Sequence, residues 1–449
     1  MRRADWRAAR HALPPGLAQA VERLAAAGDR LGLGVLLVGG PVRDLLLGLP
    51  IVDVDLIVEP RDPEPGLGTS GTRNLHRLPA LRLAQAALAG HEALVAHPRF
   101  GTVTLTGPHG AIDLAGARAE HYASPGALPE VRSASLEEDL ARRDFSVNAM
   151  AMPLNATARR GRRALVDPLG GSKDLARRRL RVLHPRSFFD DPTRALRAAR
   201  LSARLGFRLD AASSRALREA SAGGAFCAVS GERFRAELDK LFGEAKRGGE
   251  PARALALLDR AGVLAALSSG LVLPAAARAP LRWLGTRLAL TPGADALLAG
   301  LCVWLAPLAA APRRRALERL ALRGRPAERV LAFSRLRRRS ARDLLRARSR
   351  GAEDAVLRHV PLEELLALAA FEPASSRRRV LRHLTEDRER RAPLDGSDLK
   401  ALGLSGPTLG RALAALRRAF LDGECSDRAE ALAWLRPRLQ RFRGRAPRT

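Results

Sequence analysis

"LLVGGPVRDLLLGLPIVDVDLIVE", Leu36 to Glu59, decides how the first third of this 449-residue chain is read. An apolar run ends in the pair Gly39-Gly40, and a short helical stretch, "PVRDLLL", follows. Pro41 suits the first turn of that helix, because it has no N–H to leave unpaired there. Gly48 suits the C-terminal cap, where a left-handed residue closes the helix. "IVDVDLIV" then reads as a strand. Side chains alternate along a strand, so Asp53 and Asp55 share one face, and Val52, Val54 and Leu56 share the other. Two carboxylates in an apolar segment repel one another and are costly to bury without a positive partner. A glycine turn at a helix N-terminus offers backbone N–H groups to phosphate. Mg²⁺ takes hard oxygen ligands and keeps positions open for phosphate oxygens. The expectation is a metal held by Asp53 and Asp55 beside a phosphate-binding turn at Gly39 and Gly40. A bare Asp-x-Asp is equally compatible with two solvated aspartates at a strand end. The combined spacing, GG-x-VRD-x-LLG-x₄-DxD, is far more specific.

Working outward, residues 16–30 carry helical apolar spacing, and "GVLLVG" reads as a buried strand. Residues 60–80 are rich in proline and glycine and read as an exposed insertion. "LRLAQAALAG" is a helix, and "GTVTLTG" with "AIDLAGA" forms a hairpin. This α/β pattern holds to about residue 165. Beyond it, Ala/Leu/Arg segments with helical periodicity continue to the end, so an α+β head precedes a long all-α remainder.

The formal net charge is +30, and arginine supplies nearly all of the excess, with lysine only at 173, 240, 246 and 400. Such an excess suits a polyanionic partner, by default nucleic acid. The alternative is compositional, with many arginines merely solvated. Arginine clusters recur at 178–186, 335–350 and 376–384. Cys227, Cys302 and Cys425 show neither metal spacing nor a disulfide framework, which suits a reducing cytoplasm. The basic N-terminus lacks the apolar core of a signal peptide. "ALLAGLCVWLAPLAAA" (296–311) is short for a membrane span and contains proline, so a buried helix is expected there and no membrane association.

The motifs together resemble the class II tRNA nucleotidyltransferases, the CCA-adding enzymes, and their bacterial poly(A) polymerase relatives. After the Gly-Gly/Asp-x-Asp motif, "EEDLARRDFSVNAMAM" (137–152) is similar to the family's second motif and "LVDPLGGSKDL" (165–175) to its third. "FFDDPTRALRAARLSARLGF" (188–207) is similar to the fourth, and "PLDGSDLKALGLSGPTLGRAL" (393–413) to a tail segment of many members. The similarity is dense from about residue 35 to 210. It implies a polymerase-β-like nucleotidyltransferase head at 1–165, a helical neck with base recognition at 166–250, and a tRNA-binding helical body at 251–350 and tail at 351–449.

By the same resemblance, Asp53 and Asp55 hold two Mg²⁺ ions. Asp113, in "AIDLA", is either a third carboxylate near the metals or an aspartate making structural hydrogen bonds. Gly40 and Arg43 contact the nucleotide triphosphate; otherwise Arg43 and Asp44 are a helix-surface pair. Arg143, in "RRDFSVN", matches the family's nucleotide-binding arginine, and Asp144 and Asn148 orient ribose or brace the site. Phe145 and Met150 are core.

Asp191, Arg194, Arg197 and Arg200 recur every three residues along one helical face, with Asp190 and Asp191 at the positive end of the helix. The family selects its nucleotide with protein side chains. Cytosine and adenine each present an amino donor beside a ring-nitrogen acceptor. A carboxylate only accepts and a guanidinium only donates, so Asp191 and Arg194 suit those edges and mispair with uracil and guanine. Arg197 and Arg200 hold phosphate or brace the helix.

The implied reaction is template-independent addition of C, C and A from CTP and ATP to the 3′ end of tRNA. The alternatives are CC-only or A-only addition, a poly(A) polymerase, and a non-catalytic RNA-binding relative. The segment 122–139, at full length, and "HPRFGTVTL", without a strongly basic stretch, both favour full CCA addition. No His-Asp dipeptide occurs, so no HD phosphohydrolase domain is expected.

Overall fold

A computed structural model describes residues 5–60, 78–89, 92–97, 101–108, 110–121 and 130–443. Most of the 60–80 insertion and the first part of the 122–139 loop lie outside these residues. The chain divides into two compact units, Met1–Glu237 with Leu257–Leu267, and Leu238–Ala256 with Ser268–Thr449.

The first unit is built on a six-stranded sheet. Helix α1 (Pro15–Leu31) leads into β1 (Leu33–Val38), all of whose residues are buried. Gly39 ends that strand, and α2 (Gly40–Leu47) begins at once and closes on Gly48 in the left-handed region. Strand β2 (Val54–Pro60) returns antiparallel to β1. After α3 (Pro79–Ala87) come β3 (Ala93–His97), β4 (Thr102–Gly107) and β5 (Gly110–Gly116), the last two forming the expected hairpin. Helix α4 (Leu136–Ala141) precedes β6 (Ala151–Pro153), and the sheet order is β3-β4-β5-β2-β1-β6.

Helices α1 and α3 pack on each other and against the sheet, α1 on β1 and α3 on β2, β4 and β5. In β4 and β5, buried Val103, Leu105, Ile112 and Leu114 therefore alternate with threonines and Asp113 on the opposite face. On β1 and β2, that opposite face carries Leu36, Val38 and Ile57, which join Leu136 and Leu140 in a second core layer. One correction follows. The strand begins at Val54, so Asp53 stands just before it, and Val52 is 47% exposed instead of joining the apolar face.

The first unit continues through α5 (Ser187–Asp190) and α6 (Arg194–Leu205). Here too the helix start differs from the sequence reading. Asp191 is extended and accepts from the Thr193 N–H and hydroxyl, so it stands before the helix, which begins at Arg194, and does not share the helical face of the arginines. The second unit is helical. Its apolar run forms α7 (Ala296–Leu305), in which every residue is buried. Helices α8 (Ala310–Arg319) and α9 (Gly324–Arg346) pack on one another. Among the described residues no helix is long and apolar enough to cross a membrane.

Candidate active site

The parallel pairing of β2 with β5 places Asp55 directly beside Asp113, and the β4–β5 pairing places Thr104 beside Asp113. All three side chains thus lie on one sheet face, next to the Gly39–Gly40 turn. The Thr104 hydroxyl donates to Asp113 Oδ1 at 2.7 Å. Burial pushes the Asp55 carboxyl up; Arg143 opposes that, while Asp113 and Asp53 add to it, and Arg197 opposes again. Two carboxylates and two guanidiniums therefore act on the Asp55 carboxyl. An ionised Asp55 is unfavourable there as it stands, and a hard cation between the carboxylates would relieve it. Among the described residues no three acidic, histidine or cysteine side chains form a ready-made metal cage. Mg²⁺ is commonly held by one or two carboxylates with substrate phosphates completing its shell, and Asp53 and Asp55 are of the right chemistry to supply them.

The glycine turn is shaped by its neighbours. Gly39 has φ +73°, and a Cβ on it would lie 2.8 Å from Arg143 Nη1. Arg143 is in turn held by Asp139, with Nη2 to Oδ2 at 2.9 Å, while Asp139 also takes Arg142.

Arg43 and Asp44 are not a surface pair, since they are 4% and 6% exposed. Arg43 donates to Asp44 (2.8 Å) and to Asn148 Oδ1 (2.7 Å). Asn148 donates to Asp144 at 2.9 Å, and Arg197 donates to the other oxygen of Asp144 at 2.8 Å. Arg204 donates to Asp44 at 3.0 Å. The result is one chain of ion pairs linked through the neutral Asn148, Arg204–Asp44–Arg43–Asn148–Asp144–Arg197, buried at its centre and joining α2, the "RRDFSVN" segment and α6. Burial would raise the Asp144 pKa, but the Arg197 charge and the bonds from Asn148 and Arg197 outweigh it and hold the carboxyl well below the usual range. The Asp144 charge in turn holds Arg197 firmly protonated. Phe145 and Met150 are fully buried, as expected.

The third motif braces the second. Asp174 accepts from the Ser146 hydroxyl and from Arg181, and Gly171 packs so close to the Ser146 carbonyl that a Cβ would approach it to 2.1 Å.

Asp191 and Arg194 are not bonded to each other through their side chains. Arg194 donates to Ser187 Oγ (2.6 Å) and to the Arg142 carbonyl (2.9 Å). Asp191 accepts from Thr193 and from Arg233 (2.9 Å), and each of these bonds goes to Oδ1. Arg200 follows on α6, half-buried. Sequence reasoning passed over Asp139, Arg204 and Arg233. Asp139 stands three and four residues before Arg142 and Arg143, a helical pairing distance, and Arg204 extends the Arg194/Arg197/Arg200 series by one step of four. Arg233 had no such signal, being 42 residues from its partner.

A glycine turn, a helix N-terminus, neighbouring carboxylates and a rim of buried and partly buried arginines define a head suited to polyphosphate chemistry. Residues 35–181 match the family model described as the poly A polymerase head domain. The chain is 36% identical over 265 residues to an A-adding tRNA nucleotidyltransferase of Geobacter sulfurreducens, covering 59% of this chain and 27% of that protein. It is 44% identical over 170 residues to a CC-adding tRNA nucleotidyltransferase of Deinococcus radiodurans, covering 38% of this chain and 40% of that one. The matches thus span less than half the length of these curated relatives. A solved Thermotoga maritima CCA-adding enzyme complexed with tRNA superposes with a TM-score of 0.70 at 26% identity, covering 97% of this chain and 98% of that one. Residues 35–181 thus form a head of the poly A polymerase type, and the chain is similar over nearly its whole length to a solved CCA-adding enzyme.

Proposed function

We propose that this chain extends the 3′ end of tRNA without a template, adding C, C and A from CTP and ATP. The observation that carries the reading is the register of β2 on β5, which sets Asp55 beside Asp113 with Asp53 at the strand mouth, next to the Gly39–Gly40 turn. Asp53 and Asp55 would hold two Mg²⁺ ions, with Asp113 as the adjacent carboxylate. Bound there, the metals supply neutralisation of the attacking and leaving oxygens in nucleotidyl transfer. The Gly40 end of α2 receives phosphate on its backbone N–H groups. Arg43 and Arg143 line the same turn and carry the triphosphate charge. Asp144 and Asn148 fix Arg43 and Arg197 in place, and Arg200 braces α6.

Asp191 and Arg194 read the base edge. Asp191 has Oδ2 for the amino group of C or A, and Arg194 has donors beyond the two already bonded for the ring nitrogen. The head is residues 1–165, the neck 166–250, and the basic helical body (251–350) and tail (351–449) bind tRNA by backbone and shape. The setting is cytoplasmic.

A second reading, A-only addition, is favoured by the A-adding Geobacter relative and its long alignment. The two separate cleanly by sequencing the products formed on tRNA lacking CCA, CA or A alone. Full CCA on the first substrate supports our reading. Extension only of the substrate lacking A supports the second, and no extension with Mg²⁺ present overturns both.

A further inference from the structure

The three arginine clusters differ in what holds them. In 376–384, Arg377 donates to the Ala369 and Glu372 carbonyls and lies over Trp283, while Arg379 and Arg382 share Glu353. In 178–186, Arg181 is taken by Asp174, and Arg186 lies over Phe189. In 335–350, Arg337 lies over Phe371, Arg339 and Arg342 lean on Asp343, and Arg350 is bound by Glu386 and Asp387. Arg335 and Arg338, like Arg346 and Arg348 further along the same cluster, lack such contacts, but they alone among these four act on a partly buried third arginine. Arg335 and Arg338 are exposed on α9, and among the described residues neither has an ion-pair or hydrogen-bond partner.

Arg313, on α8, stands beside them. Its Nη1 bonds the Ser334 hydroxyl, which passes on to the Ala306 carbonyl, and its Nε is buried without an acceptor. Burial and the charges of Arg338 and Arg335 disfavour its protonated form, and no carboxylate offsets them. Three guanidiniums converge with no counter-charge, although like charges three residues apart weaken a helix.

We propose that Arg313, Arg335 and Arg338 form a binding site for the phosphodiester backbone of RNA. The site rests on the tRNA reading above and assigns that contact to one of the three clusters. Neighbours three apart on a helix lie roughly 5–6 Å apart at Cβ, which lets two planar forks engage successive phosphates of one strand. Guanidinium is the group best matched to phosphate in two-point contacts. A membrane surface is the rival, because Leu345, one further heptad along α9 from Arg338, is 69% exposed.

The test uses the full chain and a labelled tRNA transcript ending before CCA, with no nucleotide present. The R335Q/R338Q double variant is compared with R215Q/R218Q, an exposed pair at the same spacing and the same charge loss on the helix Ala211–Ala222. We expect R335Q/R338Q to weaken binding about tenfold or more near physiological salt. It should also flatten the plot of log affinity against log salt by about 0.7–0.9 per lost phosphate contact. R215Q/R218Q should change little. Equal small losses in both variants, or unchanged RNA affinity with loss of binding to phosphatidylglycerol vesicles, would overturn the site. Wild-type RNA affinity in R335Q/R338Q, alongside active extension by the wild-type chain, removes this site alone. A wild-type chain that neither binds nor extends the transcript removes the reading beneath it.

Discussion

Arginine plays opposite parts in the two regions described most fully. Around the head site, Arg43, Arg143, Arg197 and Arg204 each have a carboxylate partner; Arg43 is buried and the other three are partly buried. On α8 and α9, Arg313, Arg335 and Arg338 gather with no carboxylate. A guanidinium already paired cannot easily move to a ligand, but it holds a fixed field and geometry. One left uncompensated gains most when an anion arrives. The head therefore looks preorganised for chemistry, and the basic ridge poised for binding. Substitutions in the head should alter rate, stability and base choice, whereas those on the ridge should alter affinity and its salt dependence.

The sharpest way to break this contrast is at the metal position. Asp55→Ala should lower single-turnover incorporation at least about 10⁴-fold, a barrier change of roughly 5–6 kcal/mol. Affinity for tRNA should stay within about twofold, because the proposed role of the lost group is to hold metal and not to contact the RNA backbone. Asp53→Ala should act in the same direction. Incorporation near the wild-type rate in either variant would sink the metal assignment.

Next in size is the buried centre of the ion chain. Asp144→Ala leaves Arg197 without its main partner and Asn148 without an acceptor. Breaking a buried pair this way costs about 3–5 kcal/mol of stability, readable as a large fall in the denaturation midpoint. The pH dependence carries a sign. The folded-state pKa of Asp144 is depressed, so its contribution is fully present above the unfolded value of about 3.9 and is lost as pH falls below it. The stability gap between wild type and variant should thus be constant from pH 8 to 5 and narrow below about pH 4. A gap that widens there would show that another group carries the effect.

How much of this was readable beforehand depends on distance along the chain. Asp53, Asp55, Gly39, Gly40 and Gly48 fall within one short motif, and local rules for turns, caps and strand alternation suffice to place them. The adjacency of Asp113 to Asp55 was not readable, because it depends on the parallel register of two strands 58 residues apart, Asp55 on Asp113. The burial of Asp44 was hidden for the same reason. A charged Arg-Asp step looks like a helix surface until Arg204 and Asn148 are seen to close over it. The helix start shifted because Asp191 takes the Thr193 N–H, a side-chain contact that competes with continuing the three-residue helical spacing back to Asp191. The division of arginines into paired and unpaired was wholly invisible, since every cluster reads alike as a run of charge.

Base choice should respond on an intermediate scale. Each mispaired group at the base edge costs about 1–3 kcal/mol, so Asp191→Ala should lower preference for CTP over UTP by about 5- to 150-fold. The readout is incorporation of each of the four nucleotides, one at a time, onto tRNA ending before CCA. Because Asp191 also anchors Arg233, the thermal midpoint should be measured alongside. A fall in stability with unchanged preference would make this segment a structural neck and nothing more.

The smallest expected effect lies at the end of the ion chain, and it tests whether the chain acts as a unit. Arg204→Gln removes one of two arginines on Asp44, while Arg43 stays bonded to the same carboxylate. No buried charge is left alone and Arg204 is partly exposed, so the loss should be about that of one ordinary hydrogen bond, roughly 0.5–1.5 kcal/mol, and less if glutamine donates in its place. Arg43 then loses some of its positional restraint. The consequence should be a rise of a few-fold in KM for CTP and ATP alike, with CTP-over-UTP preference unchanged, because the role proposed for Arg43 is on the phosphate and not the base. Lysine at 204 should restore stability better than KM, since a point charge replaces the ion pair but not the fork geometry. If Arg204→Gln instead changes base preference as strongly as Asp191→Ala, then α6 transmits a single coupled state. The phosphate-side and base-side roles drawn here would have to be merged.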